Sequence, residues 1–188
     1  MRVTETAADL LRATLSEGDV AIDGTAGRGR DALLLAGLVG ACGRVHAFDV
    51  QAEAIDSTRS LLAQARLLDR CTLHRRCHAE MTSAVPACDH GRVGAAIFNL
   101  GYLPGGDHAV TTCAETTLKA LEGAVGTLRP GGRLICVCYT GHPGGEDEAE
   151  SVHAWMTAKA REGLELTVEG REPGTGRPWL ACLTRGQV

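Results

Sequence analysis

The chain predicts an α/β fold on a mainly parallel sheet. Short apolar runs of strand length alternate with longer segments of helical spacing from end to end, and two of the early runs close on an acid. The last two runs have no helix between them, so the sheet should finish with an antiparallel strand. The expectation is seven strands with helices on both faces.

Residues 6–15 set Ala7, Leu10, Leu11 and Leu15 at helical spacing, and Gly18 stops them. Residues 19–23 are a short apolar run ending in Asp23, the first strand, and 24–31 are a glycine-rich turn. A helical pattern resumes over 31–39 and closes at Gly40. Residues 44–49 read as a second strand, again ending in Asp, and 51–68 as a long amphipathic helix. A third strand is expected over 71–75, then a helix over 78–87 stopped near Pro86. Residues 93–98 are a buried fourth strand, and Asn99 opens the loop after it. A helix over 112–128 carries Ala114, Leu118, Leu121 and Val125 on one face. Arg129-Pro130-Gly131-Gly132 reads as a turn, 133–139 as a strongly apolar fifth strand, and 141–145 as a loop. The helix over 146–163 has acids crowding its start, where the helix dipole favours them. Residues 164–171 and 179–184 complete the sheet.

At 188 residues the chain suits one core, and it is read as a single domain over 1–188. Hydrophobic content of 44% argues against disorder, while 3% aromatics leaves Ala, Val and Leu to build the core. The net charge of −4 argues against a coat for nucleic acid; any such contact must be a local patch. The eight Cys include no Cys-x-x-Cys pair, so no metal site is expected. The N-terminus lacks the apolar core of a signal peptide, and no apolar run reaches the ~20 residues of a membrane span. A cytoplasmic protein with free thiols and no membrane contact is the expectation.

The turn Asp23-Gly-Thr-Ala-Gly-Arg-Gly-Arg-Asp31 joins the first strand to the first crossover helix. Glycine there lets the backbone approach a ligand. Gly27-x-Gly29-x-x-Ala32 matches a dinucleotide fingerprint, which alone is weak, and the turn could equally do no more than reverse the chain. Asp23 shifts the balance. A carboxylate beside pyrophosphate would repel it, whereas an acid ending the first strand suits an ammonium group, as in S-adenosylmethionine (SAM). Charge-assisted hydrogen bonds of ~1.5–3 kcal/mol each would orient that end of the cofactor. Asp49 can hold ribose hydroxyls in either case.

Asn99-Leu100-Gly101-Tyr102 stands at a strand's carboxyl end, where open α/β sheets place their sites. The pattern is similar to the Asn/Asp-Pro-Pro-Tyr loop of amine-methylating enzymes, with Leu100 and Gly101 in place of the prolines. In that logic the Asn oxygen accepts a hydrogen bond from the target amine and Tyr102 stacks on its ring. An alkylamine of pKa near 10.4 costs about 4–5 kcal/mol to hold neutral at pH 7. A neutral amide does not add to that cost as a carboxylate would. His142, His78 or Asp107 could accept the proton. His142 either lines the site or satisfies a loop carbonyl, and His78 is read as a neighbour of the adenine or a surface residue. Arg66, Arg70, Arg75 and Arg76, and more loosely Arg171, Arg177 and Arg185, are solvated faces or phosphate contacts. Arg28 and Arg30 are better placed to meet a polyanion near the site.

The glycine turn, Ala47-Phe-Asp-Val-Gln51, Phe98-Asn-Leu-Gly-Tyr-Leu-Pro-Gly-Gly-Asp107, Thr111-Thr112 and Gly141-His-Pro-Gly-Gly145 together resemble a family of small bacterial methylases. These were first described as rRNA methylases, and members act as tRNA 5-aminomethyl-2-thiouridine methyltransferases. The resemblance runs over nearly the whole chain. It implies a Rossmann-like class I SAM-dependent fold and methyl transfer to the aminomethyl nitrogen of the tRNA wobble uridine. The partner implied is therefore the tRNA anticodon region, with a homodimer as candidate assembly. By position, Asp23, Thr25, Gly27, Gly29, Asp31, Asp49, Gln51, His78 and Asn99 are the expected cofactor residues. Asn99, Tyr102 and His142 are the expected catalytic ones. The chain departs from the family at Arg28 and Arg30, where Asn and His are usual, and at 174–179, where an Asn-rich, double-Pro segment is usual. Two other readings remain: a methyltransferase for another amine, on rRNA or a small molecule, and a noncatalytic SAM- or nucleotide-binding protein. An NAD-dependent oxidoreductase is disfavoured by Asp23.

Overall fold

The computed structural model describes residues 3–101 and 111–187. Helix α1 (Val3–Thr14) leads into strand β1 (Val20–Asp23), helix α2 (Arg30–Leu38) and strand β2 (Arg44–Asp49). Helix α3 (Ala52–Gln64), strand β3 (Cys71–Arg75) and a short helix α4 (Met81–Ala84) follow. Strand β4 (Val93–Leu100), helix α5 (Ala114–Thr127), strand β5 (Leu128–Cys138) and helix α6 (Gly145–Arg161) precede the closing strands β6 (Glu165–Glu169) and β7 (Trp179–Thr184). No helix among the described residues is long and apolar enough to cross a membrane.

The seven strands lie in the order β3-β2-β1-β4-β5-β7-β6. Only β7 runs against the others, pairing antiparallel with both β5 and β6. All the parallel strands therefore present their carboxyl ends at one edge. The order reverses between β1 and β4, which opens a crevice there.

Side chains alternate across the pleat and feed two cores. Ala95 and Ile97 of β4 face α1, α2 and α3 through Leu11, Leu35 and Leu62. Ala96 and Phe98 face the other layer, where Met81, Leu121 and Met156 come from α4, α5 and α6. β4 is buried on both sides except at Asn99, which is partly exposed.

Four expectations need correction. β4 does not stop at Phe98: Asn99 pairs with Val137 and Leu100 with Cys138, so Asn99 belongs to the strand and is held by its ladder. Residues 129–132 are not a free turn but a bulge inside β5, where the register with β4 shifts. Gly131, at φ 71°, donates to the Arg185 carbonyl at 2.9 Å, and the Arg185 N–H donates back to Gly132 at 2.9 Å. Sheet pairing on both sides thus absorbs a Pro-Gly-Gly run that locally signals a turn. The helix over 78–87 splits into a 3-10 turn (His78–Glu80) and α4, because Val85 is extended ahead of Pro86. Helix α3 ends at Gln64, short of 68, and Arg66 follows in the left-handed region at φ 59°.

Candidate active site

A cleft of about 320 Å³ opens over the carboxyl ends of β1, β2 and β4. Thr25, Gly27, Asp49, Gln51, His78 and Asn99, all expected from the sequence, line it. Its first wall is the turn after β1. Gly29 caps α2 at φ 80°, and a Cβ there would fall 2.8 Å from the Thr58 backbone, so this turn can pack on α3 only with glycine.

Asp49 ties that turn to β2. Its Oδ2 accepts the Gly27 N–H at 3.0 Å and its Oδ1 the Gln51 N–H at 2.9 Å. Each oxygen keeps a lone pair for a ligand hydroxyl. Beside it Val50, half exposed, offers an apolar face to a planar group.

Asp23 differs, although it too ends a strand. It is fully buried and sits behind the cleft wall, where its Oδ1 accepts the Thr25 N–H at 3.1 Å. Its Oδ2 has no hydrogen-bond partner among the described residues. Burial, with Asp31 and Asp49 near it, pushes its carboxyl well above the usual carboxylate range. A cation at this turn would relieve the repulsion that Asp31 and Asp49 exert on Asp23, and a phosphate would add to it.

Asn99 is held twice. Its backbone N–H donates to Thr25 Oγ1 at 2.7 Å, and its Nδ2 donates to Asp31 Oδ2 at 2.6 Å. Asp31, in the first turn of α2, stands behind Asn99 and, like Gly29, does not line the cleft. Burial raises its pKa, against the opposing effect of the Asn99 N–H and of Arg30.

His78 Nδ1 lies 3.2 Å from the Gly24 carbonyl. A carbonyl only accepts, so Nδ1 carries the hydrogen and Nε2 is the acceptor. Nε2 is buried with no partner among the described residues, and burial lowers the ring's pKa, keeping it neutral. His142 Nδ1 donates to the Pro143 carbonyl at 3.1 Å. A Cβ on Gly101 would lie 3.7 Å from His142 Nε2, so this histidine stands against the end of β4 without lining the cleft. Tyr102 and Asp107 lie outside the described residues.

The sequence reading missed Glu148. Its place in an acidic helix start suggested a dipole contact, yet it is buried and accepts the Thr112 and Thr117 hydroxyls at 2.6 Å each. Thr112, on the cleft wall, also donates its N–H to the Gly101 carbonyl at 2.9 Å. Val50, Cys77 and Thr116 were missed as well; an apolar residue directly after a strand-end acid was the available signal for Val50. Arg76 reaches the cleft wall; Arg28 is paired with Glu53 at 2.8 Å.

Residues 45–167 match the family model described as "Putative rRNA methylase". The chain is 41% identical over 162 residues to the chloroplastic tRNA (mnm5s2U34)-methyltransferase of Arabidopsis thaliana, covering 82% of this chain. It spans only 58% of that relative's length. Among solved structures, a Clostridium thermocellum protein described as a "putative rRNA-methylase" superposes with a TM-score of 0.91 at 34% identity, over 98% of this chain and 97% of that one. A "putative methyltransferase" from Streptococcus mutans in complex with SAH gives 0.85 at 30% identity, over 98% of each chain.

Proposed function

Because the chain belongs to the rRNA methylase family, we propose that it is a SAM-dependent N-methyltransferase for the aminomethyl group of 5-aminomethyl-2-thiouridine at the tRNA wobble position. The observation that carries this reading is the side-chain amide of Asn99, held by Asp31 while its backbone N–H is held by Thr25, on the wall of a cleft that Asp49 also lines. The names of the relatives, one a wobble-uridine methyltransferase and one bound to SAH, support it.

The cleft residues suit SAM. Asp49 would take the ribose hydroxyls, Val50 would pack on the adenine, and the neutral His78 Nε2 is a buried acceptor seeking a donor. The acids behind the glycine turn suit a cationic ligand. When bound, SAM supplies a methyl group on a positively charged sulfur.

The chain's own part is to present a neutral amine. The Asn99 oxygen accepts one amine hydrogen, which turns the nitrogen lone pair outward without adding charge. Desolvation in the cleft lowers the amine's pKa, and the positive charge of a bound SAM would lower it further. On accepting the methyl group that SAM would supply, the amine nitrogen would carry one surplus proton, and that proton would leave to solvent. Orientation then provides much of the rate, and no strong base is required. By the family resemblance Tyr102 and His142 would act on the substrate side, His142 from beside the end of β4, and Arg76, on the cleft wall, would meet phosphates of the anticodon loop. The eight free thiols suit a reducing cytoplasm. The enzyme would work as a homodimer, which sedimentation of the purified protein tests.

The deciding experiment incubates the protein with SAM and tRNA lacking the wobble methyl, followed by nucleoside mass spectrometry. A gain of one methyl on 5-aminomethyl-2-thiouridine is expected. Full recovery of the unmethylated nucleoside, with SAM shown to bind, would overturn the substrate assignment.

A further inference from the structure

We infer that Asp31 is a positioning residue that fixes which end of the Asn99 amide faces the cleft. The inference rests on the methyl-transfer reading and adds a role for an acid that does not line the cleft. A primary amide has a donor end and an acceptor end of nearly equal size, so packing alone does not choose between them. Only the acceptor end can receive an amine hydrogen. Asp31, as a carboxylate, only accepts. Its Oδ2, 2.6 Å from Asn99 Nδ2, holds the donor end inward. The oxygen is thereby left for the cleft that Asn99 lines.

The surrounding structure prevents any easy escape. Asn99 lies in the β4 ladder opposite Val137, and its N–H is tied to Thr25 Oγ1 at 2.7 Å, so the side chain cannot turn by moving its backbone. Asp31 is carried on the first turn of α2, set by the glycine cap at Gly29, and it is absent from the cleft lining. Its Oδ2 is directed at Asn99. The sequence separation of 68 between the two partners explains why no local motif reveals the pair.

The test compares Asp31→Asn with the exchanged pair Asp31→Asn/Asn99→Asp. In the single variant two amides face each other and either can donate, so the orientation is lost. The expected result is a fall in kcat of about tenfold or more with the KM for SAM within about twofold. In the exchanged pair the residue 31 amide donates inward and the residue 99 carboxylate again offers an oxygen to the cleft, so part of the lost kcat should return. A merely structural Asp31 would show no such rescue. An unchanged kcat in the single variant, a loss confined to SAM affinity, or an exchanged pair no better than the single variant would each overturn the inference. One arm needs neither a folded variant at position 31 nor turnover. In the unsubstituted protein the Asn99 side-chain amide, assigned by its absence in Asn99→Ala, should show one proton shifted downfield and slow to exchange. A freely exchanging, unshifted pair would refute the contact, and it would do so even if the tRNA assay had already failed.

Discussion

Replacing Asp49 by Ala should separate cofactor affinity from stability. The carboxylate accepts two backbone N–H groups, from Gly27 at 3.0 Å and Gln51 at 2.9 Å. Both residues line the cleft, so water can replace the lost acceptor, and the cost to folding is about 1 kcal/mol. For a chain of 188 residues that lowers Tm by about 2–4 °C. The bound state loses far more. Two ribose hydroxyls on a charged acceptor contribute about 1.5–3 kcal/mol each, so SAM affinity should fall by roughly two to four powers of ten. Calorimetric titration with SAM, beside a melting curve of the free protein, reads both numbers. A Kd within twofold of the parent, at a Tm lowered as expected, would refute the ribose role. A Tm fall above about 10 °C with no independent loss of binding would mean that Asp49 serves the turn and not the ligand.

Other substitutions probe the amine and the packing. Asn99→Ala should reduce kcat by on the order of 100-fold while SAM affinity changes little; equal losses would mark a structural role. In Asn99→Asp the added charge raises the amine's pKa, so the pH optimum should move upward, and an unmoved pH–rate profile would contradict the neutral-amine argument. Gly24→Ala would put a Cβ 2.2 Å from the ring of Phe98, which is fully buried, so calorimetry should show a loss of about 1–3 kcal/mol. His46 lies between His74, 3.1 Å away, and Asp89, 2.9 Å away. Burial lowers both histidine pKa values, that of His74 to about 4, where His46 and Arg76 add to the effect. Between about pH 6.5 and 4 the unfolded chain thus binds more protons than the folded one, and stability is lost as pH falls through that window. His74→Gln should flatten the Tm-against-pH curve there; an unchanged slope would remove His74 as its cause.

How much of this was legible beforehand depends on whether the signal is local. β2 over 44–49, β3 over 71–75 and β7 over 179–184 begin and end where the apolar alternation predicts, because the period of a strand is written in adjacent residues. The antiparallel end followed from the missing helix between the last two runs. The turn signal at Arg129-Pro130-Gly131-Gly132 misled because β4 and Arg185 supply pairing that no local window contains. Six of the expected cofactor residues line one cleft, since every parallel strand ends at the same edge of the sheet.

The chain by itself determined the fold class, the family and the residue types available at the strand ends. Local periodicity and short motifs are enough for that. The tertiary structure alone decided what each acid does. Asp23 and Asp49 both close a strand, yet Asp23 is sealed beside β4 at the centre of the sheet while Asp49 borders the cleft. Asp31 meets Asn99 only because the strand order sets β1 and the helix after it against β4. Burial and partnership are properties of the assembled sheet, and they depend on which distant segments become neighbours.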